Sequence, residues 1–156
     1  MLYRKRAWDI MRSEFPRAKE DAPLSEAMKA IEQSLGQYPD NDFLVVTTKD
    51  GSLVGVISMW NIFQAMGPEL LKKMTRIKDD DNYEKAFKLA CQLGAQTSIR
   101  KIIQKDFPRI RPSDTLDRIM EVFLDYNRSC AVVEEGGKIF GIVNLTDLYR
   151  EIASNV

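Results

Sequence analysis

Apolar residues follow the same order of patterns in both halves of the chain. In the first half, five apolar residues recur at helical spacing: Leu24, Ala27, Met28, Ile31 and Leu35. They predict a helix over 23–35 that ends at Gly36. Two short apolar runs follow at 43–47 and 53–57, separated by a turn that contains Gly51, and they predict a β-hairpin.

The second half gives the same prediction with different residues. Four apolar residues share a helix face after a Ser113-Asp114 cap: Leu116, Ile119, Met120 and Phe123. The apolar runs 131–133 and 138–143 are joined by two acids and two glycines, which predicts a second β-hairpin. A final helix is predicted over 147–153.

The two halves are copies of one unit. Phe15-Pro16-Arg17 recurs as Phe107-Pro108-Arg109, and the stretch 45–62 matches 131–148. The first copy is longer near 36–42, so we expect an insertion there. Gly55 and Gly141 fall at matching places inside strands, which indicates close packing or a bulge. Each copy is too small to bury its own sheet, so the predicted fold is α+β, with two β-α-β-β-α repeats packed through their sheets.

Helical segments lead into each copy and join the two copies. We expect the first repeat with its leading helix (5–13) over 1–68, a helical joining segment over 69–98, and the second repeat with its leading helix (99–104) over 99–156. A helix from Asn61 is predicted to break at Gly67-Pro68. A second joining helix, 83–93, is predicted to be capped by the acidic run 79–82 and to end at Gly94.

Composition excludes several classes of protein. The chain has 156 residues and 23 basic against 23 acidic side chains, so its net charge of zero argues against a nucleic-acid binder. It contains no apolar run of membrane-spanning length, and no apolar run follows the basic N-terminus, so we expect a cytoplasmic protein.

Candidate catalytic and metal-binding groups are scarce. The chain has no histidine, and Cys91 and Cys130 are isolated, which excludes His-activated nucleophiles and gives no zinc motif. The acidic run 79–81 suits a helix cap better than a metal site. We therefore expect neither catalysis nor a bound metal.

Asn144, Thr146 and Asp147 lie where the last helix begins, and the residues allow two interpretations. Such residues are common helix caps. A carboxylate there can also accept hydrogen bonds from the two hydroxyls of a ribose, while the free N–H groups of the helix start can bind a phosphate.

The duplicated unit resembles the CBS domain, and the tandem pair resembles a Bateman module. The resemblance rests on a strand, an acidic-Gly turn and the pattern G-φ-φ-[S/T/N]-x-x-[D/N], in which φ is apolar, and it covers about 7–153. It implies an adenosine-containing ligand (AMP, ADP, ATP or S-adenosylmethionine) in the cleft between the repeats. It places the ribose on Asp147, a phosphate on Thr146, and a further polar contact on Asn144. The resemblance places the adenine wall on the following residues: Pro108, Arg109, Asn127, Arg128 and Ser129.

The first copy departs from this pattern, because Asn61 replaces the ribose-binding Asp and Trp60 replaces the Thr. The resemblance therefore implies a second, weaker cleft with the following residues: Ser58, Asn61, Pro16 and Arg17. An amide is uncharged and offers one acceptor oxygen instead of two.

Two functions remain open from the sequence. One is a regulatory module that binds an adenosine-containing ligand and signals in trans to an unidentified effector protein. The other is a ligand-free dimeric module for structure or protein interaction. The resemblance implies a homodimer in both cases. No cofactor is expected beyond the regulatory ligand.

Overall fold

Two three-stranded sheets, one from each half of the chain, form the centre of the structure. The computed structural model describes residues 4–78 and 80–156. The first sheet has the order β1 (Arg17–Lys19), β2 (Phe43–Thr47), β3 (Leu53–Ser58), and the second has the order β4 (Arg109–Ile110), β5 (Cys130–Glu135), β6 (Lys138–Asn144). In each sheet the first pair of strands is parallel and the second pair antiparallel.

Helices cover the outer faces of both sheets. Their bounds are α1 (Ala7–Ile10), α2 (Leu24–Gln37), α3 (Met59–Met74), α4 (Asp80–Gly94), a 3₁₀ turn (Ile99–Ile102), α5 (Leu116–Tyr126) and α6 (Leu145–Ala153). This arrangement confirms the predicted α+β fold with two β-α-β-β-α repeats.

Alternate residues of the central strands face two different cores. In β2, Leu44 and Val46 join the core beneath α2 and α3, while Phe43 and Val45 join a cluster that lies between the two sheets. Val132 and Ile142 meet them there from the second sheet. The repeats therefore pack through their sheets, because residues 43–46 of β2 are apolar on both faces.

The leading segments are exchanged between the repeats. Ala7 of α1 is fully buried in the core of the second repeat, and Ile99 of the 3₁₀ turn is fully buried in the core of the first. The backbone of Arg12 pairs with Ile142 in β6, and the backbone of Gln104 pairs with Val56 in β3. Each repeat is thus completed by a segment that precedes the other repeat in the chain.

Gly55 and Gly141 explain how those segments approach so closely. A Cβ atom on Gly55 would lie 2.4 Å from the carbonyl oxygen of Gln104, and one on Gly141 would lie 2.5 Å from that of Arg12. Both glycines also lie opposite a register shift in the neighbouring strand. The predicted close-packing role of both glycines is confirmed.

Two predicted helix ends are wrong. The predicted break at Gly67-Pro68 does not occur, because α3 continues through Pro68 to Met74. Pro68 cannot donate one backbone hydrogen bond, but Leu70 and the buried Met74 beyond it pack inward and hold the helix together. Gly36 does not end α2, which continues to Gln37.

Several helix starts also differ from the predictions. The leading helices are shorter, since α1 spans four residues and the second is a single 3₁₀ turn. Thr115 is the residue before α5, while the Asp114 carboxylate accepts from the Arg111 N–H instead of capping the helix. Helix α4 begins at Asp80, so the acidic run lies largely inside its first turn; Asp79 lies outside the described residues. Helix α6 begins at Leu145, two residues before the predicted start.

Candidate functional site

Asn144 and Asp147 are joined by a hydrogen bond at the start of α6. Asn144 precedes the helix, and its backbone N–H donates to Asp147 Oδ2 over 3.0 Å. Asp147 is the third residue of the helix, where a carboxylate faces the free N–H groups of the first turn. One of the two carboxylate oxygens of Asp147 therefore acts as a helix cap.

Arg12 of the first repeat occupies the other oxygen of Asp147. Its Nη2 and Nε donate to Asp147 Oδ1 over 2.9 and 3.3 Å. The pairing of Arg12 with Ile142 fixes the Arg12 backbone beside β6, three residues before α6 begins. The guanidinium also lies over the Tyr38 ring, with its carbon 4.8 Å from the ring centroid.

Asp40 closes this cluster from the loop before β2. Its carboxylate accepts from Arg12 Nη1 and Nη2 over 2.9 and 2.6 Å, which is the two-pronged geometry that suits a guanidinium. The Thr146 hydroxyl donates to Asp40 Oδ2 and accepts from Arg12 Nη2 over 3.3 Å. We call the group Arg12, Asp40, Asn144, Thr146 and Asp147 the Asp147 cluster.

Hydrogen bonding within the Asp147 cluster shifts the pKa of two groups. The hydrogen bonds from Arg12 hold the pKa of the Asp40 carboxyl well below its usual value of 3.8, against an opposing effect of burial. The same bonds raise the pKa of the Arg12 guanidinium above its already high ordinary value. The side chains of Arg12 and Asp147 are only 9% and 11% exposed, so water screens this pair weakly.

One polar atom of the Asp147 cluster has no partner among the described residues. Asn144 is 3% exposed, and its Nδ2 donates to the carbonyl oxygen of Asp40 over 3.4 Å, but its Oδ1 is buried without a hydrogen bond. A buried carbonyl oxygen without a donor costs free energy, so a donor supplied by a ligand would be favoured there.

At the start of α3, the side chains of Ser58 and Asn61 form hydrogen bonds with each other. Ser58 Oγ donates to Asn61 Oδ1 over 2.9 Å and accepts from the Asn61 N–H over 3.1 Å. Trp60 points outward, is 61% exposed, and stacks on Phe63 with ring centroids 5.6 Å apart. Ser58 and Asn61 thus form a helix cap that uses the amide oxygen predicted for a ribose.

Pro108, Arg128 and Ser129 lie beside Ser58. These four residues line a cavity of about 40 Å³, together with Phe43. We call this cavity the Ser58 pocket. It is far smaller than ligand sites, which commonly reach roughly 300–1,000 Å³. Ser129 also borders the start of α6, where its carbonyl oxygen accepts from the Leu145 N–H over 2.8 Å, so the Ser58 pocket lies next to that helix start.

The exchange of leading segments explains why Pro108 lies beside Ser58 of the other repeat. Asp147 meets the leading segment and loop of the first repeat, and Ser58 meets the corresponding segment and loop of the second. Pro16, predicted for the weaker cleft, instead lines a cavity of about 220 Å³ with Tyr38, the residue stacked on Arg12. Each helix start thus lies between its own repeat and residues of the other, whereas the sequence prediction used residues of its own repeat.

Three further predicted residues have different neighbours. Arg17 is exposed and lies over Phe15. Arg109 forms an ion pair with Glu134 over 2.9 Å and borders an open groove of about 830 Å³ near the hairpin turns. Asn127 ends α5 in the left-handed conformation, with φ of 50°, a position that suits asparagine.

Sequence reasoning missed Arg12, Asp40 and Tyr38. Alignment of Phe15 with Phe107 places Arg12 opposite Gln104, so a charge present in only one copy was the available signal. Asp40 lies in the predicted insertion, which has no counterpart to compare. Among the described residues, no group of His, Cys, Asp or Glu is arranged to hold a metal ion, and no helix is long and apolar enough to cross a membrane.

Comparison with known proteins identifies the family. The CBS domain family matches residues 7–68 and 99–154, which together make up more than half of the chain. The chain therefore belongs to the CBS domain family and contains the domain twice. A protein of Thermotoga maritima named "Probable manganese-dependent inorganic pyrophosphatase" is 29% identical over 72 residues, which are 46% of this chain and 13% of that protein.

Two solved structures share the fold over nearly the whole chain. One is a CBS domain pair in complex with 5′-methylthioadenosine and S-adenosylmethionine, with a TM-score of 0.71, 18% identity, and coverage of 99% of this chain and 100% of the other. The second, from Methanocaldococcus jannaschii, is described as a candidate archaeal homologue of g-AMPK; its TM-score is 0.67, its identity 16%, and the coverage 96% and 48%. At these identities the likeness concerns the fold.

Proposed function

We propose that this protein is a regulatory module that binds an adenosine-containing ligand at the Asp147 cluster and signals to a partner protein. The observation that carries the proposal is that Arg12 and Asp40 of the first repeat meet Thr146 and Asp147 of the second. A ligand that enters between them contacts both repeats at once. Ligand binding therefore changes the relative stability of arrangements in which the repeats sit differently.

The chemistry of the cluster supports a nucleoside. Asp147 Oδ2 accepts one hydrogen bond, from the Asn144 N–H, and keeps an acceptor position for a ribose hydroxyl, while Oδ1 accepts from two nitrogens of Arg12. Asn144 Oδ1 offers a second buried acceptor. The structural neighbour that holds 5′-methylthioadenosine and S-adenosylmethionine supports this ligand class. The candidate homologue of g-AMPK supports a regulatory role.

The alternative function is a dimeric interaction module whose clefts remain empty. It is favoured by exposed apolar side chains on three helices: Trp60, Phe63, Leu124, Tyr149 and Ile152. Phe63 and Tyr149 hold equivalent positions, two residues after Asn61 and Asp147, and are 61% and 66% exposed. Exposed apolar residues on the outer helices of both repeats suit a second copy of the chain or a partner protein.

A thermal melting panel tests the proposal. The purified protein is heated with AMP, ADP, ATP, S-adenosylmethionine or cyclic di-AMP, each near millimolar concentration. A ligand present at about 100 times its Kd adds about 2.7 kcal/mol of stability, which raises the Tm by roughly 5 to 10 °C. A flat panel at these concentrations would contradict the proposal and favour the dimeric alternative.

Two variants locate the binding. Asp147→Asn keeps the size of the side chain but removes its charge, so the Tm shift should disappear. Asn61→Ala removes the corresponding cap in the first repeat and should leave the shift in place. Circular dichroism of both variants without ligand checks that a lost shift reflects lost binding and not a lost fold. A shift that survives Asp147→Asn would place the ligand elsewhere.

A further inference from the structure

The Asp147 cluster already contains an anion at the place where a phosphate would bind. The Asp40 carboxylate accepts from both terminal nitrogens of Arg12 and from the Thr146 hydroxyl. A guanidinium, a hydroxyl and the first turn of a helix are groups with which proteins bind phosphate. A ligand phosphate that sought these donors would have to displace Asp40.

The charges of the cluster also oppose a phosphate. Two carboxylates, Asp40 and Asp147, surround the single guanidinium of Arg12, so the group retains one negative charge. Arg12 has a carboxylate on both sides and little contact with water. A phosphate would therefore add negative charge to a site that is already negative and weakly screened.

The unpartnered oxygen of Asn144 gives an independent indication. Asn144 is 3% exposed, and its amide faces the Asp40 loop through the bond from Nδ2 to the Asp40 carbonyl oxygen. Oδ1 can only accept a hydrogen bond; it faces the Asp147 N–H as in a capping box but makes no hydrogen bond among the described residues. A ligand hydroxyl or amino group would satisfy this oxygen, whereas an ionised phosphate has mainly acceptors to offer.

We propose that Asp40 is a built-in anion that excludes phosphate from the Asp147 cluster, and that this site takes an adenosine derivative whose 5′ substituent is neutral or cationic. The adenosine part of this inference rests on the proposed function. The role of Asp40 does not, because it follows from Asp40's own contacts with Arg12 and Thr146.

Calorimetric titration with matched ligands tests the selectivity. 5′-Methylthioadenosine, S-adenosylmethionine and AMP share the adenosine part and carry a neutral, a cationic and an anionic 5′ substituent. We expect the protein to bind the first two at least about tenfold more tightly than AMP, the scale of one charge-assisted hydrogen bond. In Asp40→Asn, AMP should gain about tenfold in affinity while 5′-methylthioadenosine changes less than about threefold. Asp42→Asn removes the same charge from the same loop and should preserve the discrimination.

A titration with inorganic phosphate tests Asp40 without any nucleoside. Phosphate should raise the Tm of Asp40→Asn and leave the unaltered protein and Asp42→Asn unchanged. Tight AMP binding by the unaltered protein with no gain in Asp40→Asn would overturn this inference and leave the proposed function standing. A phosphate response in Asp40→Asn without any nucleoside binding would uphold the role of Asp40 and contradict the proposed function. No response to either probe would contradict both.

Discussion

Arg12 and Asp147 lie 135 positions apart in the sequence, yet Arg12 Nη2 is 2.9 Å from Asp147 Oδ1. The bond links the leading segment of the first repeat to the last helix of the second. It exists because the backbone of Arg12 pairs with Ile142 in β6, which ends where α6 begins. The candidate site is therefore a product of the exchange of leading segments and not of either repeat alone.

Loss of the Arg12 charge should destabilise the fold. In Arg12→Gln, the Asp40 and Asp147 carboxylates lose the cation between them, and Asp147 is only 11% exposed. We expect the free energy of unfolding to fall by about 1 to 3 kcal/mol, less than for a fully buried pair. Urea denaturation measures this change.

Arg17→Gln is the matched control for that variant. Arg17 is exposed and contacts the Phe15 ring, so its loss should change stability by about 0.5 kcal/mol or less. Equal effects of the two substitutions would mean that the ion pairs of Arg12 contribute nothing specific to stability.

Asp40 should contribute to stability at neutral pH and lose that contribution in acid. Hydrogen bonds from Arg12 hold the pKa of the folded Asp40 carboxyl below 3.8, its usual value. As the pH falls, the unfolded carboxyl binds a proton first, so protonation favours unfolding. The stability difference between the unaltered protein and Asp40→Asn should be about 1 kcal/mol and constant above about pH 5, and should shrink below about pH 4.

Denaturation curves of both proteins from pH 3 to pH 8 test this prediction. The charged groups around Asp40 are Arg12, which stays protonated throughout, and Asp147 on the far side of the guanidinium. A difference that grows as the pH falls would show that the folded state binds the Asp40 proton more tightly than the unfolded state, the opposite of this prediction.

Gly141→Ala should disturb the site through the backbone. The added Cβ would lie 2.5 Å from the Arg12 carbonyl oxygen and 3.3 Å from Met11 Sδ, so the leading segment must move. We expect a loss of roughly 1 to 3 kcal/mol, as for overpacking in a core, and weaker ligand binding because Arg12 moves with its backbone. Chemical denaturation and the melting panel measure the two effects.

Gly36→Ala should have the opposite effect on stability from Gly141→Ala. Gly36 lies within α2, and a Cβ atom there would have no neighbour within 4 Å. An alanine at a helical position should stabilise the protein by about 0.5 to 1 kcal/mol and leave ligand binding unchanged. A neutral Gly141→Ala beside a stabilising Gly36→Ala would contradict the close approach of Arg12.

We expect the exposed apolar residues of α6 to form part of a dimer interface. Tyr149→Glu places a charge on α6 at a side chain that is 66% exposed, so it should leave the monomer fold intact and weaken association. Light scattering after size-exclusion chromatography, at several concentrations, measures the mass. If the unaltered protein were a monomer at every concentration, the homodimer expected under both proposed functions would be contradicted.

The sequence by itself determined the repeat and the alternation of strand and helix, and it marked Gly55 and Gly141 as positions of close packing or a bulge. These features are local, because helical spacing, apolar runs and turn residues act within a few positions of one another. The same local patterns placed Asn144, Thr146 and Asp147 at the start of a helix. The matching halves predicted that two sheets would pack together, since neither could bury its own apolar face.

Only the tertiary structure decided which residues meet at each helix start. The break predicted at Pro68 failed because packing of Leu70 and burial of Met74 outweigh one lost hydrogen bond. Arg12 and Asp40 carry no local signal of their role, since their partners come from the other repeat across an exchanged segment. A charge can be read from a sequence, but the charge that neutralises it depends on which segments the core brings together.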